Sequence, residues 1–95
     1  MAIYTFRRDD NLAGFHSRKQ LGTDVLNSLG ALRAAGHALE YDPDLMVESE
    51  DEGGELVTLD VRSGTQESDW HSRRGVGDEF SRHGVRITGF GASVS

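Results

Sequence analysis

The stretch LVTLDVR, residues 56–62, carries an aliphatic side chain at every second position after Leu56. Val57, Leu59 and Val61 fall on one face of an extended chain, because successive side chains of a strand point to opposite sides. Thr, Asp and Arg occupy the positions between them and suit a solvated face. The pattern predicts a half-buried strand over residues 56–62.

The N-terminal stretch AIYTFRR, residues 2–8, alternates in the same way, and its apolar face holds Ala2, Tyr4 and Phe6. When the sequence is aligned with itself at an offset of 55 residues, these three residues align with Val57, Leu59 and Val61. Two strands of the same register at a fixed offset indicate equivalent elements of a duplicated chain.

The same offset aligns FHSRKQLGTDV, residues 15–25, with WHSRRGVGDEF, residues 70–80. The letters HSR and one glycine are identical, and an aromatic residue opens both segments. A three-residue match arises by chance about once in a chain of this length, so the agreement of the strands is the stronger support. An internal repeat of residues 2–48 and 57–92 is predicted.

A helix is predicted after the first of these segments, with Thr23 as its N-cap and Gly36 near its end. Gly30 inside this helix costs about 1 kcal/mol relative to Ala, which favours close packing at that position. The apolar stripe of the helix consists of Val25, Leu26, Leu29 and Leu32.

The rest of the chain is predicted to form a hairpin, a short helix and a final strand. Residues 45–48 and 56–62 are predicted to form a hairpin linked by SEDEGGE, in which Gly53 and Gly54 supply positive φ. A short helix over DEFSRH is predicted with Asp78 as its cap, and a final strand over residues 85–90.

The fold class is therefore α+β, in a single domain of residues 1–95. An antiparallel sheet with two helices on one face is expected, in a ferredoxin-like β-α-β-β-α-β order. A duplicated ββαβ variant is the alternative, because the loops of residues 9–22 and 64–77 are long enough to hold extra strands at FHSRK and WHSRR.

Composition excludes several classes of protein. The 95 residues include no Cys, which excludes disulfide frameworks and thiolate metal sites. The N-terminus lacks an apolar stretch of signal-peptide length, and no window approaches the roughly 20 apolar residues of a membrane span. We expect a soluble, cytoplasmic protein with no membrane partner.

The net charge of −6 is concentrated in the middle of the chain. Residues 38–69 hold eleven Asp or Glu and one Arg, whereas the segments on either side each carry a charge of +2. Solubility is the common reason for such a run, but a negative lobe can also dock on a basic surface. The predicted partner-binding residues are Glu48, Glu50, Asp51, Glu52 and Glu55.

The two HSR segments are candidate anion sites, since a basic pair precedes a helix start in both. The alternative is that Phe15 and Trp70 anchor these loops while the basic side chains lie in solvent. Asp24 and Glu79 at the helix starts weaken an anion site with their own charge. The possible anion-binding residues are Arg18, Lys19, Arg73 and Arg74.

No catalytic residue, metal site or cofactor is predicted. The four His residues show no spacing typical of zinc ligands. His16 and Ser17 are neighbours on a segment expected to be extended, so they point to opposite faces and make a poor base–nucleophile pair. Enzymatic activity rests on fold-level analogy alone.

The predicted function is that of a small, non-enzymatic protein that binds a protein partner with a basic surface. A concrete form is a virus-encoded inhibitor that mimics nucleic acid and docks its acidic hairpin on a nucleic-acid-handling defence complex. The alternative is a module that binds nucleic acid or a phosphate ligand through the basic and aromatic FHSRK and WHSRR segments. The final strand, residues 85–90, would leave an edge that permits a homodimer.

Overall fold

The computed structural model describes residues 2–8, 20–64 and 70–92. Two α-helices lie in these ranges, α1 (Leu21–Ala34) and α2 (Val76–Arg82). The strands are β1 (Ala2–Arg8), β2 (Leu39–Glu40), β3 (Val47–Asp51), β4 (Gly54–Asp60), β5 (Arg62–Ser63) and β6 (Val85–Ala92). Single 3₁₀ turns form at Pro43–Leu45 and Trp70–Ser72.

Four strands form one antiparallel sheet in the order β3-β4-β1-β6, and β2 pairs with β5 in a second, small sheet. Because β1 is antiparallel to both of its neighbours, β4 and β6 run parallel to each other on either side of it. The same reasoning makes β1 parallel to β3, with β4 between them. The mixed α+β class predicted from the alternating pattern is confirmed.

The core lies between one side of the large sheet and the two helices, and this side is called the helix side below. Tyr4 lies opposite Leu59 in the β1–β4 pair, and both are buried. Val25 of α1 and Phe80 of α2 are buried in the same cluster. The other side, called the open side, is covered by neither helix, and Ile3 is 41 % exposed there.

Both helices begin earlier than the sequence predicts. Gln20 occupies the N-cap of α1 without a side-chain hydrogen bond, and Thr23 lies inside the helix, so Thr23 is not the cap. Gly75, at φ +89°, precedes α2, and Asp78 lies inside its first turn. The early starts bring Leu21 and Val76 into the core, and their burial outweighs the missing caps.

The acidic hairpin is tighter than predicted. Its strands extend to Asp51 and from Gly54, so that a two-residue turn, Glu52-Gly53, replaces the seven-residue link. The Asp51 carboxylate accepts a hydrogen bond from the Gly53 N–H at 2.8 Å. Gly54 supplies the positive φ, at +100°, where a side chain would be strained.

Two further expectations from the sequence are wrong, and the internal repeat stays a prediction. Gly30 is exposed and a Cβ there would meet nothing within 4 Å, so the expected close packing is wrong. Trp70–Ser72 is a 3₁₀ turn, so the extra strand at WHSRR is also wrong, whereas FHSRK lies outside the described residues. The internal repeat stays a prediction, although α1 and α2 begin at positions related by the same offset of 55.

None of the helices in the described ranges is both long enough and apolar enough to cross a membrane.

Candidate protein-binding surface at the acidic hairpin

The five predicted partner-binding residues all lie on the β3–β4 hairpin and are exposed. The register divides four of them between the two sides of the sheet, and Glu52 lies in the turn. Glu48 lies opposite the buried Val57 and therefore projects on the helix side, and Glu50 follows on the same side because side chains alternate. Glu55 lies opposite Glu50. We call Glu48, Glu50 and Glu55 the acidic face.

Asp51 projects on the open side and is held by an arginine. Arg7 on β1 places its two terminal nitrogens 3.0 and 2.5 Å from the Asp51 carboxylate oxygens. Its guanidinium crosses β4 to do so and also approaches the Gly54 carbonyl oxygen at 3.5 Å. Asp51 is therefore neutralised within the chain, which the sequence did not reveal because β1 and β3 are not adjacent.

The pKa values of this pair shift in the directions expected of a bonded ion pair. Hydrogen bonds from Arg7 and then from the Gly53 N–H lower the pKa of Asp51 below its ordinary value. The hydrogen bond to Asp51 raises the pKa of Arg7. Asp51 consequently stays ionised, but its negative charge is already paired with Arg7. Its carboxylate is therefore less available to a partner than those of the acidic face.

Glu50 and Glu55 are directly opposite each other in the β3–β4 pair. Directly opposed Cβ atoms lie about 4.5–5.5 Å apart, and like charges in such positions destabilise a sheet. Within residues 2–8, 20–64 and 70–92, neither carboxylate forms an ion pair or a side-chain hydrogen bond. The repulsion is therefore not relieved by any cation of the described chain.

Glu48 lies against the first turn of α1. A Cβ placed on Gly22 would overlap the Glu48 carboxylate and the end of the Met46 side chain. Gly22 is buried beneath them, so the absence of a side chain allows this approach. The positive end of the helix favours a carboxylate at such a place. The contact of Glu48 with the first turn of α1 therefore helps to hold the hairpin against this helix.

A second acidic group lies at the other end of β4. A cavity of about 280 Å³ there is lined by Glu40, Tyr41, Asp42, Leu45, Asp60 and Arg62. Asp60 and Gly54 mark opposite ends of β4, which places the cavity about 20 Å from the hairpin turn at 3.3 Å per residue. The described part of the acidic middle, residues 38–64, thus places acidic side chains at two separate ends of β4.

The predicted anion site is described in part. Arg73 and Arg74 are exposed in the turn between Trp70–Ser72 and α2, whereas Arg18 and Lys19 lie outside the described residues. Trp70 is 1 % exposed, so its ring is an anchor in the core and is not available to stack on a base. Anion binding by these four residues stays a prediction.

A contact that sequence reasoning missed joins Tyr4 to His71. The Tyr4 hydroxyl lies 3.0 Å from His71 Nδ1, and the His71 ring lies 5.0 Å from that of Phe90. The three residues come from β1, the 3₁₀ turn and β6, and no spacing in the sequence links them. In the described ranges no three His, Asp or Glu side chains lie close enough together to hold a metal ion.

Comparison with protein-family models finds no match, and comparisons with curated proteins and with solved structures find no similar protein.

Proposed function

We propose that this chain is a non-enzymatic binding protein that docks its acidic face, Glu48, Glu50 and Glu55, on a basic surface of a partner protein. The observation that carries the proposal is the placement of Glu50 directly opposite Glu55 on an exposed hairpin without a compensating cation in the described chain. A bound Arg or Lys would supply that cation.

The energetics favour this interpretation over solubility alone. Like charges directly opposite each other destabilise a sheet pair. Acidic residues placed anywhere on the surface would aid solubility without this cost. A partner guanidinium that bridges Glu50 and Glu55 would convert the repulsion into charge-assisted hydrogen bonds.

A nucleic-acid-handling partner fits the spacing of the carboxylates. Glu48 and Glu50 project from the same side of β3, two residues apart, which corresponds to about 6.5–7 Å. That spacing is close to the separation of phosphates along a nucleic-acid strand, whose charge such partners recognise. The concrete form of the proposal is a virus-encoded inhibitor that occupies the nucleic-acid groove of a defence complex.

We propose in addition that the architecture is ferredoxin-like. The strand order β3-β4-β1-β6 supports this, as do the two helices that each connect parallel strands separated by a third. Such a sheet gives the acidic hairpin a rigid base at one edge, so the carboxylates are positioned before binding.

The test compares binding of the wild type and of Glu50→Gln/Glu55→Gln to proteins from a plausible host extract, at low and at high salt. The captured proteins are identified and their binding is then measured with each purified component. We expect affinity for a basic, nucleic-acid-handling component to fall roughly fivefold to tenfold, because two charge-assisted contacts are lost. High salt should weaken wild-type binding.

The control is Asp44→Asn/Asp78→Asn, which removes the same charge from two exposed carboxylates outside the acidic face. Equal loss of binding in both variants would show that net charge alone matters and would contradict the proposal. Binding of oligonucleotides that depends on Arg73 and Arg74 would favour the alternative nucleic-acid module.

A further inference from the structure

The two edges of the large sheet differ in charge. Strand β3 has five residues, all exposed, and three of them are acidic. Strand β6 has eight residues, VRITGFGA, and Arg86 is the one that carries a charge. Exposed edge strands pair readily with other chains unless charge, proline or a bulge prevents it. The edge at β3 is protected by its carboxylates, whereas charge gives β6 little protection.

A bulge divides β6 into two parts. Thr5 lies opposite Gly89 and Phe6 lies opposite Ile87, so Thr88 is the extra residue. Arg86 belongs to the part before the bulge, and the part after it, Gly89–Ala92, reads GFGA. Within the described residues, the portion of this edge that has neither a charged side chain nor the bulge is therefore Gly89–Ala92.

Apolar surface is exposed on both sides of the sheet at the same segment. Phe90 is 49 % exposed and projects on the helix side, opposite Tyr4. On the open side, Gly91 lies opposite Ile3. Gly91 has no side chain to cover Ile3, which is 41 % exposed. A strand added to this edge would lie beside Phe90 and cover it.

We propose that two copies of this chain pair through Gly89–Ala92 as antiparallel strands about a two-fold axis. A second copy is compatible with this edge, since GFGA opposite GFGA brings no like charges together. Pairing of β3 with a second β3 would instead oppose Glu48 and Glu50 to the same residues. Pairing of β6 with β3 would leave free edges and build open chains instead of a closed dimer.

The paired segment is short, so we expect an equilibrium between monomer and dimer that depends on protein concentration. The dimer would join two sheets into one of eight strands with β3 at each outer edge. Seven spacings of about 4.8 Å place the two acidic hairpins about 34 Å apart along the sheet. Dimerisation does not rest on the proposed function, although a dimer would present the acidic face twice.

The test is sedimentation equilibrium of the full chain over a wide range of concentration, with wild type, Gly89→Lys/Gly91→Lys and Gly30→Lys. A Cβ on Gly91 or on Gly30 meets nothing within 4 Å, and one on Gly89 meets Thr5 at an ordinary 3.4 Å. Both variants should therefore fold, which circular dichroism checks. Gly30→Lys is the matched control, because it adds lysine on the exposed surface of α1.

We expect the mass of the wild type and of Gly30→Lys to double with concentration, and the mass of Gly89→Lys/Gly91→Lys to stay that of a monomer. Hydrogen exchange should show concentration-dependent protection of β6 amides and none of β3 amides. A monomeric wild type at every concentration, or a dimer that both variants retain, would overturn the proposal. Protection at β6 without a change in mass would also contradict it.

Discussion

Arg7 on β1 holds the carboxylate of Asp51 on β3 across the strand that separates them. The contact ties the end of the hairpin to the central strand on the open side of the sheet. The side chain of Arg7 is 22 % exposed and that of Asp51 48 % exposed, so solvent screens the pair and its contribution to stability is modest. Its main effect is to fix the position of the turn beside the acidic face.

Asp51→Asn should lower stability in a pH-dependent manner. The pKa of Asp51 is lowered in the folded chain, so its contribution is fully present above the ordinary carboxyl pKa of about 4 and is lost as pH falls through the folded value. The difference in free energy of unfolding between wild type and variant should be constant near neutral pH and shrink in acid. Denaturant titrations across this range measure it. A difference that does not change with pH would show that Asp51 acts through its hydrogen bonds alone.

Gly30→Ala should stabilise the chain by about 0.4–1 kcal/mol, because alanine restricts the unfolded chain and favours the helix. The position is exposed, and a Cβ there meets no atom within 4 Å. Gly36→Ala is the matched control, since Gly36 has φ +104° and should lose about 1 kcal/mol. Urea denaturation of both variants gives the comparison. Destabilisation by Gly30→Ala would mean that this part of α1 packs against something in solution.

The strands and the core face could be predicted from the sequence because alternation directly reports burial. Of the residues at which the alternation placed the core, Tyr4, Phe6, Val57, Leu59 and Val61 are buried. The offset of 55 also relates Tyr4 to Leu59, and these two lie opposite each other at the centre of the sheet. The repeat hypothesis expects equivalent environments for this pair, but their opposition does not establish a duplication.

The candidate site could be predicted in composition but not in geometry. The acidic run is visible in the sequence, yet its division into two sides depends on a turn two residues long, and a change of one residue in register would exchange the sides. The contact of Arg7 with Asp51 depends on strand order, which sequence spacing does not encode. Both helices start early because this buries Leu21 and Val76. The burial of these side chains outweighs the preference for a capping residue at the helix start.

Asp24→Ala should destabilise the chain by roughly 3 kcal/mol, because it removes a buried carboxylate that is paired with the largely buried Arg8 guanidinium. Asp24 is 2 % exposed, and its carboxylate accepts a hydrogen bond from Arg8 at 2.6 Å. Thermal and urea unfolding measure the loss. The double variant Arg8→Met/Asp24→Leu should recover a substantial part of it, since paired apolar replacements often tolerate such sites. A loss below about 1 kcal/mol in Asp24→Ala would show that water reaches Arg8 and solvates it.

Glu55→Lys should raise stability and weaken partner binding at the same time. A lysine opposite Glu50 replaces a repulsion with a cross-strand ion pair, worth about 0.5 kcal/mol in a sheet. The same substitution replaces a carboxylate that the proposed partner requires with a positive charge. Binding should therefore fall more than in Glu55→Gln. Glu52→Lys makes the same charge change in the turn, outside the acidic face, and should leave the Glu50–Glu55 repulsion in place. If Glu55→Lys gains no stability over Glu52→Lys, the opposed carboxylates are too well solvated to repel each other. Glu50 and Glu55 would then gain no relief of repulsion from a bound cation, even if the hairpin binds a partner.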